Sequence, residues 1–258
     1  MSAATPFDML LKQSRMLREN FPLILKAASS TSLVLISGEE GTERELLARL
    51  IHLLCPRSRR PFIGFAGAGD RRDFVNALTG GAESDAETRP PGLLELAQGG
   101  TLFLDGIESL EIREQIFLKT LIERSRPVSG SFDCIRFILG ADESLRRRVE
   151  DGGFYSGLYY TIAVLEIALS PLRQRKEDIV PLARFILGGE TEGRHMTLSL
   201  DAVPHLLAYD WPGNYGELKL ILSRAATRTR GKRIRAEDLP EHIRFSRYWA
   251  TATSSPSN

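Results

Sequence analysis

The sequence predicts an α/β fold, in which a parallel sheet is flanked by helices and followed by a small C-terminal all-helical region. Short apolar runs that suit buried strands recur along the chain, and helical patterns lie between most of them. Strands that alternate with helices are typical of a parallel sheet covered on both faces. The predicted strands are Leu33–Ile36, Phe62–Phe65, Thr101–Leu104, Ile135–Leu139 and Val164–Ala168.

The spacing of apolar residues places the helices. Between the strands, they are expected at Glu45–Leu54, Ser109–Arg124 and Glu143–Val149. After Pro171 the chain shows no strand pattern. Helices are expected there at Lys176–Leu187, Asp201–Tyr209 and Tyr215–Arg228. Ser199 is a plausible N-cap of the second of these, and Pro204 predicts a kink in it or a late helix start.

Composition narrows the class of protein. The chain has 258 residues, of which 42% are hydrophobic and 26% charged, as is ordinary for a globular protein. A net charge of +1 favours neither nucleic acid nor membrane as a partner. Cys55 and Cys134 match no metal-ligand spacing, so we expect buried free thiols, no metal and a cytoplasmic location. No run approaches the roughly 20 apolar residues of a membrane span.

A loop after the first predicted strand carries the most informative chemistry. Residues 37–45 read Ser-Gly-Glu-Glu-Gly-Thr-Glu-Arg-Glu and open the first predicted helix. In this setting, backbone N–H groups and a helix N-terminus can hold phosphates, in the pattern G-x-x-x-x-G-K. Here Glu43 stands in place of the second glycine and Arg44 in place of the lysine. Because a guanidinium is bulkier than an ammonium and Glu43 adds a negative charge, the loop predicts impaired phosphate binding.

Three further segments resemble one family closely. Gly99–Asp105 is similar to a Walker B strand, Asp210–Asn214 to the start of a sensor II helix, and Pro171–Ile179 to a lid junction. Together they identify the chain, from about Leu11 to Ile243, as a member of the NtrC-like family. These are the AAA+ domains of bacterial enhancer-binding proteins, which activate sigma-54 RNA polymerase. The resemblance implies an AAA+ P-loop-type α/β subdomain at residues 1–172 and a helical lid subdomain at 173–245. The small polar residues 246–258 are expected to form a disordered tail.

The resemblance also assigns a role to each position of the nucleotide site, and most of these roles are substituted. The vestigial nucleotide-binding positions are Gly38, Glu39, Gly41, Thr42, Arg44 and Asp105. The degenerate catalytic positions are Glu43 in the loop, Gly106 at the general base, Ala66 at its switch partner, Ala141 and Asp142 at sensor I, Tyr155 and Thr161 at the arginine fingers, and Gly216 at sensor II. Glycine has no group that could activate water. We therefore expect no catalytic residues and a pseudo-ATPase without cofactor, with weak binding of ATP and Mg²⁺ as the alternative.

The resemblance places a sigma-54-contacting loop, the GAFTGA loop of the family, at residues 76–81. Ala77, Thr79 and Gly80 match the motif, whereas Leu78 replaces its aromatic residue. An aliphatic side chain there could still make an apolar contact with sigma-54. The alternative is that this stretch is only a surface loop.

These observations favour a non-hydrolysing AAA+ protein that modulates sigma-54-dependent transcription by protein–protein interaction. Its expected partner is an AAA+ enhancer-binding protein paralogue or sigma-54 RNA polymerase, in a homo- or hetero-oligomer. No sequence-specific DNA binding is expected, since no helix-turn-helix follows the lid, and no membrane contact is expected. Two alternatives remain: an activator of sigma-54 that binds or hydrolyses ATP weakly, and a repurposed scaffold unrelated to transcription.

Overall fold

The computed structural model describes residues 6–66, 74–81, 90–125, 134–189, 196–229 and 231–245. The chain divides into two compact units. Residues 21–38 and 44–169 form the first, which we call the sheet unit. The described residues up to 20, residues 39–43 and those from 170 onward form the second, the lid unit. Residues 39–43, the centre of the predicted phosphate loop, therefore belong to the lid unit. The predicted tail at 246–258 lies outside the described residues.

The sheet unit contains a five-stranded parallel sheet, which confirms the predicted fold class. Its strands are β1 (Val34–Gly38), β2 (Phe62–Ala66), β3 (Thr101–Asp105), β4 (Arg136–Ala141) and β5 (Leu165–Leu169). The spatial order is β2-β3-β4-β1-β5, so every predicted apolar run is a strand of one sheet. The central strands β1 and β4 are buried along their whole length, as their continuous apolar runs predict.

Helices precede, separate and follow these strands. They are α1 (Pro6–Gln13), α2 (Arg15–Ser29), α3 (Arg44–Leu53), α4 (Phe74–Thr79), α5 (Leu93–Leu96), α6 (Ile112–Arg124), α7 (Leu145–Glu150), α8 (Ser156–Ile162), α9 (Ile179–Gly189), α10 (Val203–Ala208), α11 (Asn214–Arg228) and α12 (Glu241–Arg244). Short 3₁₀ helices lie at Ile107–Ser109, Leu172–Gln174, Lys176–Asp178 and Ala236–Asp238. None of the described helices is long and apolar enough to cross a membrane.

The strand register brings three strand ends to one edge of the sheet. Ser37 of β1 pairs with Ala141 of β4, and Leu104 of β3 pairs with Leu139 of β4. The carboxyl ends of β1, β3 and β4 are therefore neighbours. Below this edge, a core of fully buried side chains fixes the strands, including Leu102, Leu118 and Leu139.

In the lid unit, α9 packs against α1 and α11. Two short parallel strands, β6 (Thr197–Leu198) and β7 (Arg233–Ile234), also pair there. The prediction that this region has no strand is therefore wrong. Two-residue strands are too short to leave a periodic pattern, and their pairing depends on the tertiary structure.

Two sequence predictions, a role for Pro204 and an N-cap at Ser199, concern the start of α10. Pro204 lies in the first turn of the helix, where proline's missing N–H costs nothing, so the predicted late start is confirmed. Ser199 is not the N-cap, because the helix begins at Val203 after Ala202. The backbone N–H of Ser199 instead donates to the Ile234 carbonyl at 2.8 Å, which extends the β6–β7 pairing.

His52 of α3 is a buried polar anchor of the sheet unit. Its Nδ1 lies 2.9 Å from Thr101 Oγ1, and its Nε2 lies 3.1 Å from the Arg60 carbonyl oxygen. Burial lowers the pKa of His52 below its usual value of 6.5, although the hydrogen bond to Arg60 opposes the shift. The folded protein therefore holds a neutral imidazole that donates to Arg60 and accepts from Thr101.

We expect His52 to make the protein less stable in mild acid. Because its pKa is lower in the folded state, the unfolded chain takes up the proton first as pH falls through about 6.5, at up to about 1.4 kcal/mol of unfolding free energy per pH unit. Thermal unfolding measured from pH 7.5 to 5 should show this loss, and His52→Gln should reduce the slope. His242→Gln, at an exposed position, is the matched control. Equal slopes in all three proteins would contradict the prediction.

Candidate functional site

Arg44 closes the carboxyl edge of the sheet. It is the first residue of α3, and only 6% of its surface is exposed. Its Nη1 donates to the carbonyl oxygens of Gly38 at 2.7 Å and Ala141 at 3.0 Å. Its Nε lies 2.8 Å from Asp105 Oδ1, in an ion pair whose alignment is not that of a hydrogen bond. One guanidinium thus binds the ends of β1, β3 and β4, and its acidic partner is Asp105 rather than a neighbouring glutamate.

Asp105 is fixed from the other side by backbone. Its Oδ1 accepts the N–H of Gly106 at 3.0 Å. A Cβ at Gly140 would lie 2.2 Å from the same oxygen, so glycine is required beneath the carboxylate. Gly106 itself has φ +75°, a conformation that suits glycine, and its N–H also donates to the Gly140 carbonyl. The carboxylate that would orient a metal is therefore held by protein groups.

The other predicted degenerate positions of the sheet unit make contacts of their own. Ala66 ends β2 and pairs in register with Asp105. The predicted switch position therefore lies next to Asp105, but its side chain is a methyl group that cannot form a hydrogen bond. Asp142 accepts the N–H of Ser144 at 2.9 Å and so caps its own turn. Thr161 donates through Oγ1 to the Gly157 carbonyl at 2.7 Å. Tyr155 is directly before α8, and its ring lies over Gly157. These side chains serve local structure.

In the lid unit, Glu43 belongs to a buried ion cluster. Both of its carboxylate oxygens accept hydrogen bonds from Arg175, one of them at 2.7 Å. Arg175 Nη1 also lies 3.5 Å from Asp178 Oδ2, and its Nε donates to the Ser170 carbonyl at 2.7 Å. The side chains of Arg175, Glu43 and Asp178 are 5%, 2% and 0% exposed. Burial opposes the charge of Arg175, but Glu43 and Asp178 together hold the pKa of the guanidinium above its usual range.

Asp178 extends this cluster to the N-terminal segment. It accepts the backbone N–H groups of Arg15 at 2.6 Å and Met16 at 3.2 Å, at the start of α2. These donors satisfy a carboxylate that shares Arg175 with Glu43. The cluster therefore links the phosphate loop, the lid junction and the N-terminus of α2 within one unit.

A second, more exposed pair holds the beginning of the loop. Arg173 donates from both terminal nitrogens to the two carboxylate oxygens of Glu39, one contact being 2.6 Å. These hydrogen bonds hold the pKa of Glu39 below its usual range. The Arg173 side chain is 41% exposed, so solvent weakens this pair relative to the Glu43 cluster.

Backbone carbonyl groups of the loop also form hydrogen bonds, with residues of α11. The N–H of Gly216, in the first turn of α11, donates to the Gly41 carbonyl oxygen at 2.8 Å. Gly41 has φ +78°, and a Cβ there would lie 2.2 Å from the Gly213 carbonyl oxygen. Asn214 donates through Nδ2 to the Glu40 carbonyl at 3.0 Å. The sensor II position thus contacts the loop through backbone alone.

Within the loop, Thr42 closes a turn of its own. Its Oγ1 and its backbone N–H both donate to the Glu39 carbonyl, at 2.7 and 3.2 Å. That N–H belongs to the set that a phosphate-binding loop would present to its ligand. The loop uses it internally.

The sigma-54-contact candidates differ from the expected loop. Ala77, Leu78 and Thr79 lie in α4, and Gly80 follows with its N–H donating to the Asn76 carbonyl at 2.7 Å. Leu78 is fully buried in the core of the sheet unit. Its side chain is therefore not available to a partner in this conformation. Whether this stretch contacts sigma-54 stays a prediction.

Sequence reasoning missed the partners of the loop's glutamates. Arg173, Arg175 and Asn214 matched the family only as part of its framework. A surplus of carboxylates in the loop is a signal that basic partners exist, but the sequence offers 34 lysines and arginines and no means to choose among them. Distances in the folded chain make the choice.

We predict that the Glu43 cluster stabilises the lid unit more than the Glu39 pair does. Glu43→Ala should cost about 3–5 kcal/mol of unfolding free energy, because it leaves a buried guanidinium short of one partner. Glu39→Ala, which breaks the exposed pair, should cost less than about 1 kcal/mol. Urea denaturation of both variants measures the difference, and a double-mutant cycle with Arg175→Met isolates the pair. Equal losses would contradict the prediction.

Comparison with known proteins places this geometry in a family. The Sigma-54 interaction domain matches residues 10–168, and the AAA+ ATPase lid domain matches residues 173–255. HyfR, a DNA-binding transcriptional activator of Escherichia coli K12, is 36% identical over 94% of this chain and 38% of its own length. The regulatory protein AtoC of the same organism is 37% identical over 85% of this chain and 50% of its own.

A solved structure has a similar fold. NtrX from Brucella abortus superposes with a TM-score of 0.74 at 26% identity, over 92% of this chain and 57% of NtrX. The chain thus spans about half, or less, of the curated relatives that it matches. Both halves of the described structure, the parallel sheet and the helical lid, are matched by family models in the expected order. The chain belongs to the sigma-54 interaction domain family of AAA+ transcription regulators.

Proposed function

We propose that this chain is a non-hydrolysing AAA+ regulator that acts on sigma-54-dependent transcription through protein–protein contacts. The observation that carries the proposal is the ion pair between Arg44 and Asp105. In an active site of this class, a lysine at the first position binds phosphate and an aspartate at the second orients Mg²⁺. Here the two positions neutralise each other, and Arg44 additionally serves two strand-end carbonyls.

The residues present do not fit a magnesium nucleotide. Binding would require Asp105 to leave a guanidinium 2.8 Å away and Arg44 to give up its carbonyl partners. In the lid unit, Glu43 brings a carboxylate to a loop that would have to approach phosphate oxygens, and like charges repel. With Gly106 at the general base and no arginine at Tyr155 or Thr161, turnover would also lack contributions of about 10³–10⁵ in rate from a trans arginine.

Family membership supports the choice of partner. Regulators of this family act on sigma-54 RNA polymerase, and a subunit that keeps the fold without hydrolysis can join an AAA+ assembly and alter its neighbours. The proposed partners are therefore an AAA+ paralogue or sigma-54 RNA polymerase. The alternative, a weak ATP-binding activator, is supported by NtrX, which is 26% identical and was solved in complex with ATP. A scaffold unrelated to transcription is the third candidate.

Restoring the family residues in the loop should restore nucleotide binding. We expect Glu43→Gly combined with Arg44→Lys to bind ATP at least about tenfold more tightly than the natural chain, about 1.4 kcal/mol in binding free energy. Titration of a fluorescent ATP analogue with Mg²⁺ measures this. Phosphate release should stay at background in both proteins, because Gly106 is unchanged.

Controls separate binding from folding in this test. Arg44→Lys alone keeps the Glu43 cluster and should bind more weakly than the double variant, and circular dichroism checks that each protein is folded. Turnover by the natural chain comparable to that of an active relative would refute the non-hydrolysing proposal. Equal affinity of the natural and double-variant chains would refute the role of Arg44 and Glu43.

The partner is tested by reconstitution. The purified chain should form a complex with an active AAA+ relative or with sigma-54 in size-exclusion chromatography, and should change open-complex formation by that relative at a sigma-54 promoter. The proposed contact does not require ATP binding by this chain, so its complex with sigma-54 should form equally well with and without ATP. Absence of both complex and effect would leave the scaffold candidate ahead.

A further inference from the structure

The two cysteines of the chain meet the same arginine, although 78 residues lie between them. The backbone N–H of Arg57 donates to Cys55 Sγ at 3.3 Å, and its Nη2 donates to Cys134 Sγ at 3.4 Å. Cys55 follows α3 and is buried, whereas Cys134 precedes β4 and is half-buried. Both thiols lie at the amino-terminal side of the sheet, away from Asp105 and the other strand ends that Arg44 binds.

The guanidinium of a second arginine, Arg136, lies near the same two cysteines. Arg136 is the first residue of β4 and is only 6% exposed. It donates through Nη2 to the Ala27 carbonyl, and within the described part of the chain its Nε has no hydrogen-bond partner. Burial lowers the pKa of Arg136, while the charge of Cys55 and a hydrogen bond to it act in the opposite direction. Cys55 is thus close enough to this guanidinium to affect its pKa.

These groups line one small cleft. A cavity of about 160 Å³ is bordered by both cysteines and both arginines, together with residues 28–31 at the end of α2. This volume exceeds that of a few water molecules, so a small solute fits into the cleft that both cysteines border. The two guanidinium groups place positive charge beside the cysteines, where it stabilises negative charge on a sulfur atom that reacts as a nucleophile.

We propose that Cys55 and Cys134 form a peroxide-sensitive thiol pair. The thiolate of Cys134, the more accessible sulfur, attacks hydrogen peroxide. An S–O bond forms, the O–O bond breaks, and the departing hydroxide takes a proton to become water. Cys55 then attacks the sulfenic sulfur, so that an S–S bond forms, the S–O bond breaks and a second water leaves. Two thiols and one peroxide give one disulfide and two waters.

The disulfide would tie the end of α3 to the start of β4. It would close a long loop within the sheet unit, and constraining the unfolded chain in this way raises stability. Oxidation should therefore raise the melting temperature of the natural chain and leave that of the single-cysteine variants unchanged.

The experiment uses the reduced full chain treated with hydrogen peroxide. Alkylation and intact mass should show two free thiols before treatment and none after, with a Cys55–Cys134 peptide that dithiothreitol cleaves. In Cys55→Ser, dimedone should label Cys134, since the second step is missing. In Arg57→Gln, labelling should be slower, with circular dichroism as the test of folding.

Each outcome decides the proposal. An intramolecular disulfide in the natural chain, together with dimedone-labelled Cys134 in Cys55→Ser, supports it. Thiols that both stay reduced, or a disulfide only between two copies of the chain, would overturn it. If Arg57→Gln does not fold, Arg136→Lys replaces it, and a rate of oxidation unchanged in a folded arginine variant would overturn the role of the guanidinium groups.

Discussion

The sheet unit depends on one buried guanidinium at its carboxyl edge. Three parallel strands end side by side there, and without Arg44 their terminal carbonyls and the Asp105 carboxylate would concentrate partial and full negative charge at this edge. Arg44 supplies the opposite charge and two donors at once. Burying a charge is costly unless it is paired and hydrogen-bonded, and this arrangement meets both conditions. The strand ends are thus held by the protein itself.

In the lid unit too, arginine side chains pair with carboxylates. Glu43 and Asp178 share Arg175, and Glu39 is paired with Arg173. In each case a carboxylate of the loop binds an arginine of the lid junction. Consequently, the conformation of the loop depends on contacts inside the chain.

The sequence predicted the sheet well because its strands are buried on both faces and read as continuous apolar runs. It did not predict α1 and α2, the first of which is eight residues long and the second of which carries Pro22 inside it. It also missed the β6–β7 pair, and it placed Leu78 on a surface loop although the residue is buried in α4. Short elements and local burial depend on what packs against them, and a single sequence does not contain that information.

The sequence by itself determined the fold class and the family, because these depend on the pattern of apolar runs and on residue type at motif positions. The loss of catalytic side chains stays a prediction. Gly106 cannot activate water in any conformation. Only the tertiary structure decided what the replacement residues do instead. Arg44 pairs with Asp105, 61 positions away in the chain, and Glu43 with Arg175, 132 positions away. Such pairings follow from the closeness of strand ends and the packing of the lid, so they arise only when the chain is folded.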